Sequence, residues 1–330
     1  MSWLERLWYR FSPWHILLLP LSGLFGLLAA ARRGLYRSGI LASYRLAVPV
    51  VVVGNIGVGG NGKTPLVLWL AQFLSERGFR PGIVSRGYGS AASAPRAVTP
   101  LDDPAQSGDE PLLLARRSGC PVWVGRDRVA AAQALLGAEP QCDVLLCDDG
   151  LQHYRLRRDA EIAVVDGTRG FGNGWLLPAG PLREGVGRLN SVDAVVVNGT
   201  GTLNGYAMTL VGATLRNLAE PTLTAGADDF REKKLHAVAG IGNPQRFFDH
   251  LRRLGLNVEE HPFPDHHRFR PEELDFPDAD AVLMTEKDAV KCAAFAAANC
   301  WMLAVEAQVD AALGDRILEK LREKNGRQTA

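Results

Sequence analysis

The run Pro49 to Val53 is continuously β-branched after its proline, ends in Gly54, and leads into Gly57-Val58-Gly59-Gly60-Asn61-Gly62-Lys63-Thr64. A short apolar run of this kind reads as a strand buried on both faces. The eight residues after it fit G-x-x-x-x-G-K-[ST], and Thr64 to Arg77 then carries Leu66, Leu70, Phe73 and Leu74 at helical spacing. Strand, glycine-rich turn and helix in that order form a phosphate cradle. Glycines reach positive φ and aim backbone N–H groups at phosphate oxygens. The helix N-terminus adds partial positive charge. In this reading Gly57, Val58, Gly59, Gly60, Asn61 and Gly62 wrap a triphosphate, Lys63 neutralises it, and the Thr64 hydroxyl ligates Mg²⁺. Pro65 fits because a first-turn residue gives up no helix hydrogen bond.

Short apolar runs recur at Gly82–Val84, Val122–Val124, Val144–Cys147, Ile162–Val165 and Ala194–Val197, with helical material between them. The alternation predicts an α/β fold: a P-loop NTPase-type, mostly parallel sheet flanked by helices. Residues 91–107 and 203–220 are rich in small and polar residues and read as a loop and a loose connection. A second alternating set follows at Leu235–Ala239, Gln245–Leu254, Ala281–Thr285 and Trp301–Val305. Three units are therefore expected: 1–47, an N-terminal anchor and basic segment; 48–225, the nucleotide-binding core; and 226–330, a smaller C-terminal α/β domain.

The first unit is set apart by charge. Between Met1 and Gln72 the only acid is Glu5, whereas Arg6, Arg10, Arg32, Arg33, Arg37 and Arg45 all precede the first strand. Ile16 to Ala31 is apolar except for Ser22. At ~1.5 Å per residue it falls short of the roughly 30 Å hydrocarbon core. A membrane-associating helix, spanning or lying in the interface, is expected, with the arginines beside Tyr36 and Tyr44 meeting an anionic leaflet. A buried helix satisfies the same pattern. A cleaved leader ending near Ala29-Ala30-Ala31 would account for it too, and is set aside because ATP chemistry downstream requires the cytosol.

Net charge is +1, which supplies no broad basic field for nucleic acid. No protein partner is implied. The five cysteines contain no C-x-x-C pair, so a reducing compartment is expected and a zinc site is not.

Acids at strand ends carry the metal reading. Cys147-Asp148-Asp149-Gly150 closes the run Val144–Cys147, and ligands of open α/β sheets bind at the carboxyl ends of strands. Asp148 and Asp149 are expected near Mg²⁺, with nothing to separate their roles. Gln152 and His153 follow closely. Ser85-Arg86-Gly87-Tyr88-Gly89 and Gly125-Arg126-Asp127-Arg128 put arginines at the same edge, for phosphate or for structural ion pairs. A kinase also needs an acceptor for its substrate's proton. Asp109 in Gly108-Asp109-Glu110-Pro111 and His266 in Pro264-Asp265-His266-His267 are candidates, although a helix cap and a surface histidine satisfy the same spacing.

Together these strings resemble the tetraacyldisaccharide 4′-kinases, the lipid A 4′-kinases of Gram-negative bacteria. The matches are VVVVGNIGVGGNGKTP, VSRGYG, GDEP, CDDGLQHYRL, GNGWLLPAGPLRE, GIGNPQRFF and MTEKDAVKC, from Val50 to Cys292. The resemblance implies transfer of the γ-phosphate of ATP, with Mg²⁺, to the 4′-hydroxyl of a tetraacyl glucosamine disaccharide 1-phosphate. The reaction would take place at the cytoplasmic face of the inner membrane. It also implies an Asp109–His266 dyad acting on the hydroxyl. Asp148, Asp149 and Glu184 would lie near the metal, and Ser85, Arg86, Tyr88 and Gln152 near substrate or nucleotide.

Three alternatives bear weighing. A membrane-recruited switch ATPase would place lysine before the Gly59-Gly60 pair, where Val58 stands. A soluble small-molecule kinase leaves the apolar segment unexplained. A non-catalytic nucleotide-binding module leaves Lys63, Thr64 and the paired acids without a purpose.

Overall fold

The computed structural model describes residues 8–9, 13–87 and 94–328; Tyr88 lies outside them. In chain order the strands are β1 (Val50–Gly54), β2 (Pro81–Ser85), β3 (Arg96–Val98), β4 (Val122–Val124), β5 (Val144–Asp148), β6 (Ala160–Asp166), β7 (Ala194–Asn198) and β8 (Tyr206–Val211). They continue as β9 (Thr214–Asn217), β10 (Thr224–Gly226), β11 (Leu235–Ala239), β12 (Val258–Pro262), β13 (Ala281–Thr285), β14 (Cys300–Leu303) and β15 (Glu306–Val309). The main helices are α1 (Trp14–Arg37), α2 (Lys63–Ser75), α3 (Asp109–Arg117), α4 (Arg128–Ala138), α5 (Pro244–Arg253), α6 (Glu286–Cys292) and α7 (Ala311–Gln328).

Nine strands form one sheet in the order β15-β8-β7-β6-β1-β5-β2-β4-β3, parallel from β8 to β4 with an antiparallel strand at each edge. The period of two explains why β1 is apolar throughout. Val51 and Val53 enter the core shared with α2 and α7, while Val50 and Val52 enter the core shared with α4. Each such side chain contributes roughly 1.5–3 kcal/mol by leaving water. The chain fills one side of β1 before crossing to β6 on the other. β1 therefore sits where strand order reverses, the crevice in which open α/β sheets bind ligands.

A second sheet runs β10-β9-β14-β13-β11-β12, with its four β14-to-β12 strands parallel. Leu235, Ala237 and Ala239 of β11 pack on Phe247, Phe248 and Leu251 of α5. Residues 203–220, expected to be a loose connection, instead carry β8 and β9. β8 fully buries only Met208, so its apolar signal is thin. Pairing with β7 and β15 is what makes it a strand. Likewise the expected loop at 91–107 contains β3, recruited by β4. The C-terminal segment does not stay with the second sheet: β15 returns to the first, and α7 inserts Leu313, Ile317 and Leu321 into its core.

Helix α1 is long and apolar enough to cross a membrane, yet it is docked along its length. His15 meets Asn173, Ser22 donates to Leu176 O and accepts from Ala179 N, Gly26 abuts Leu176, and Arg33 reaches Ser191. Positions 15, 22, 26 and 33 form a single helical stripe. Away from it Ile16, Leu17, Leu21, Leu24, Leu27 and Leu28 are each more than half exposed.

Candidate functional site

The glycine-rich turn between β1 and α2 is held by β6, by the end of β7 and by the loop that joins them. Val58 N–H donates to Pro181 O at 2.9 Å, Asn61 Nδ2 to Val164 O at 3.3 Å, and Asn198 Nδ2 to Asn61 O at 3.0 Å. Gly62 caps α2 with φ of 93°, and a Cβ there would run into the Asn198 amide. Backbone strain of about 1–2 kcal/mol for a side chain in this region adds to the collision. Gly62→Ala should therefore weaken ATP binding about tenfold or more, read as a rise in nucleotide Kd by calorimetry. An unchanged Kd would mean that the turn adapts and that its left-handed residue is dispensable.

Asp148 ends β5 and is buried; Ser85, ending β2, donates to its Oδ2 at 3.2 Å. Its Oδ1 has no hydrogen-bond partner among the described residues. Burial pushes this carboxyl well above the usual range, reinforced by Glu110 and Asp149 and opposed by Lys63 and the Ser85 hydroxyl. Asp149 adopts φ of 50°, with its carbonyl held by Arg128 at 2.9 Å and its carboxylate 3.4 Å from both Lys63 Nζ and Arg183. Burial alone would raise Asp149, but Lys63, Arg183 and Arg128 outweigh it and hold the group down to about 2. A buried carboxyl oxygen without a partner, beside an ionised carboxylate at the foot of a phosphate loop, is a donor set suited to a hard, oxygen-seeking divalent cation.

Asp109 opens α3 on the first sheet, and His266 lies in the loop after β12 of the second. Their side chains meet, His266 Nδ1 lying 2.9 and 3.1 Å from the two Asp109 oxygens. His266 holds φ of 59° in this loop. Burial lowers His266, but the Asp109 hydrogen bond and charge raise it, and the net shift is upward. Burial raises Asp109, yet the His266 hydrogen bond and the Lys287 charge hold it at about 2. Lys287, at the start of α6, lies 2.9 Å from Glu110, 3.1 Å from Asp265 and 3.8 Å from Asp109. Burial alone would lower the ammonium, but the three carboxylates reverse that and raise it.

The tip of the phosphate loop also touches the second sheet. A Cβ on Gly242 would strike Gly60 N, so the two backbones approach as only glycines allow. Arg169 donates to Gly242 O at 2.6 Å, and Arg246 pairs with buried Asp166 at 2.7 Å. Between the sheets lies a cavity of about 660 Å³, lined by Gly60 to Pro65, Asn198, Glu110, Asn243, Arg246 and Lys287 among others.

The match to known proteins extends over nearly the whole chain. Residues 14–322 fit the model of the family described as tetraacyldisaccharide-1-P 4′-kinase. This chain belongs to that family. A tetraacyldisaccharide 4′-kinase from Methylobacillus flagellatus is 52% identical, covering 97% of this chain and 96% of its own. One from Aromatoleum aromaticum is 56% identical over 95% of each. The crystal structure of "apo" form LpxK from Aquifex aeolicus in complex with ATP superposes with a TM-score of 0.78 at 28% identity, covering 93% of this chain and 99% of that one. The chain is thus an ATP-dependent kinase that phosphorylates a lipid A precursor.

Among the residues expected from sequence, the kinase fold brings Lys63, Asp148, Asp149 and Ser85 together, and joins Asp109 to His266. Glu184 accepts from Gln152 Nε2 at 3.0 Å and from the Tyr154 hydroxyl, and lies 3.8 Å from Arg188. Gln152 also donates to Asn55 O at 2.9 Å, linking that network to the end of β1. Arg86 is exposed at the end of β2. Arg128 has a structural role in holding Asp149, and Asp127 caps α4. Sequence reading gave no role to Lys287, Arg183, Asn198, Asp166 or Arg246. Asn198 follows a predicted strand directly and was open to the same strand-end logic as Asp148. Lys287 and Arg246 lay within quoted family strings, but nothing local marked them.

Proposed function

We propose that this kinase transfers the γ-phosphate of ATP to the 4′-hydroxyl of a tetraacyl glucosamine disaccharide 1-phosphate at the cytoplasmic face of a bacterial inner membrane. The observation that carries this reading is the Asp109–His266 contact, a proton-accepting pair beside a phosphate-loop cavity. The nucleoside would occupy the cavity, with its phosphates under Gly57 to Lys63. Thr64, Asp148 and Asp149 would hold Mg²⁺, whose charge offsets that of the transferring phosphoryl group. Lys63 and Arg183 would complete the positive cradle. Glu184 would act indirectly, fixing Gln152 against β1, while Ser85 orients Asp148; Tyr88 and the exposed Arg86 would lie near substrate or nucleotide.

The pair works as a unit. Whichever atom touches the sugar hydroxyl, the capacity to accept its proton resides in the neutral imidazole, because Asp109 is too weakly basic to retain one. The dyad draws one member from each sheet, and Arg117 of α3 fastens the same junction through Glu286 at 2.5 and 2.7 Å. We therefore assign the sheets to two lobes that follow the expected 48–225 and 226–330 units, apart from the exchanges of β9, β10, β15 and α7.

Helix α1 would lie in the anionic leaflet rather than cross it, because a span would have to shed the docked stripe from His15 to Arg33. Arg32 ties the helix to the site, donating to Gln152 O at 3.1 Å. A Leu24→Asp/Leu27→Asp variant should lose at least about tenfold in binding to phosphatidylglycerol vesicles, since each leucine contributes roughly 1.5–3 kcal/mol when buried. Sedimentation with vesicles measures this. Equal binding by the variant would place the membrane contact elsewhere.

The test of function is incubation with MgATP and the tetraacyl disaccharide 1-phosphate, followed by mass analysis and localisation of the added phosphate. Addition at the 4′-oxygen is expected; hydrolysis of ATP with no phosphorylated lipid would refute the reading.

A further inference from the structure

The second sheet carries a cluster that phosphoryl transfer does not use. His236 lies in the amino-terminal half of β11, away from the loop that meets Gly60, and Glu259 and His261 lie on edge strand β12. The strands are parallel, with His236 opposite Glu259 and Val238 opposite His261. The side-chain period of two therefore puts all three residues on one face. One donor atom from each of them falls within 4.8 Å of the others. His236 Nδ1 is 2.9 Å from His261 Nε2, and that nitrogen is 3.8 Å from Glu259 Oε1. Phe276 packs on both rings, stacked on His236 at 4.3 Å between centroids and tilted against His261 at 4.5 Å.

We propose that His236, His261 and Glu259 form a binding site for a divalent transition-metal ion of the zinc class, separate from the nucleotide's cation. Two imidazoles and a carboxylate select such ions over Mg²⁺, which prefers oxygen. Ligand bonds of about 2.0–2.2 Å put tetrahedral donors roughly 3.3–3.6 Å apart, so the 2.9 Å nitrogen pair and the 3.8 Å gap between His261 and exposed Glu259 each lie under an ångström from that spacing. The outer partner is also in place. His236 is 3% exposed, and its Nε2 has no hydrogen bond among the described residues but faces Asp278 Oδ1 at 3.4 Å. A carboxylate on the far nitrogen keeps the proton there and turns the Nδ1 lone pair toward the ion, the usual support of a metal-bound histidine. Asp278 is shared with Lys234, so it stays an orienting group. Bound there, the ion would clip edge strand β12 to β11 just ahead of the loop that carries His266.

The test uses the full-length, untagged kinase in detergent, stripped with chelator and held in excess Mg²⁺ so that the nucleotide site takes no other ion. Titration with Co²⁺ should give visible d–d absorption saturating at one equivalent and abolished by Zn²⁺. His261→Ala should remove the signal. Asp278→Asn should weaken binding roughly 10–100-fold, the usual effect of losing an outer partner. Zn²⁺ should raise the thermal midpoint of the parent protein and not that of His261→Ala. Should His261→Ala misfold, Glu259→Gln on the exposed edge tests the same ligand set. Absence of the band, or an identical band in the variants, would overturn the proposal and leave an ordinary hydrogen-bonded imidazole pair.

Discussion

Replacing His266 with alanine is expected to lower kcat by roughly 10²–10⁴-fold, the usual contribution of positioned proton transfer, with nucleotide affinity unchanged. The ring stands against Asp109 rather than in the phosphate cradle, so its loss removes proton acceptance and leaves the triphosphate contacts intact. The pH dependence gives a second readout. Because Asp109 raises His266 above its ordinary 6.5, the acid limb of kcat should have its midpoint above that value, and turnover should rise with pH through it. Asp109→Asn removes the raising charge, so burial dominates and the limb should move to lower pH as the rate falls. Stability has the opposite sign for the histidine. Its share is fully present below 6.5 and is lost as pH rises through the raised value. The share from Asp109 is fully present above 3.8 and is lost as pH falls toward about 2. The pair therefore stabilises the fold most between those limits, whereas catalysis needs the alkaline side. Full turnover by His266→Ala would remove the dyad from the mechanism.

Lys287→Met should destabilise the protein by about 3 kcal/mol, the low end for breaking a buried ion pair. The ammonium is 15% exposed and serves Glu110, Asp265 and Asp109 at once, so its removal leaves a cluster of carboxylates to repel one another. The low end applies because Glu110 and Asp265 are about a quarter exposed, and water relieves part of the repulsion. At 2–4 °C per kcal/mol the thermal midpoint should fall by roughly 6–12 °C. The deficit should shrink in acid, because protonating crowded carboxylates removes the repulsion. A midpoint within a degree of the parent would show that Lys287 does not hold this junction together. The same change should reduce kcat, since the charge helps to keep Asp109 ionised.

The nucleotide half of the site was legible because its residues are contiguous. The loop from Gly57 to Thr64 and the pair Asp148-Asp149 announce themselves by local pattern, and their strands are apolar enough to be read without a partner. The half proposed to receive the lipid was not. Asp109 and His266 are 157 positions apart, and only the resemblance to a family joined them. Lys287 looks like any helix-starting lysine until Asp109, Glu110 and Asp265 close around it. Glu184, expected near the metal, is held by Gln152 and Tyr154, an arrangement no spacing rule conveys.

By itself the sequence determined the elements whose period and composition carry their own signal: the valine strand, the phosphate loop, the apolar helix with its arginine collar, and the alternation that makes an α/β sheet. The tertiary structure alone decided whatever depends on pairing across distance. It recruited β8 and β9 from a segment that looked loose, returned β15 and α7 to the first sheet, docked one stripe of α1 on the body, and placed Lys287 among its acids. The physical reason is range. Propensity and periodicity act over a few residues, whereas burial, ion pairing and strand exchange depend on which surfaces the folded chain brings into contact.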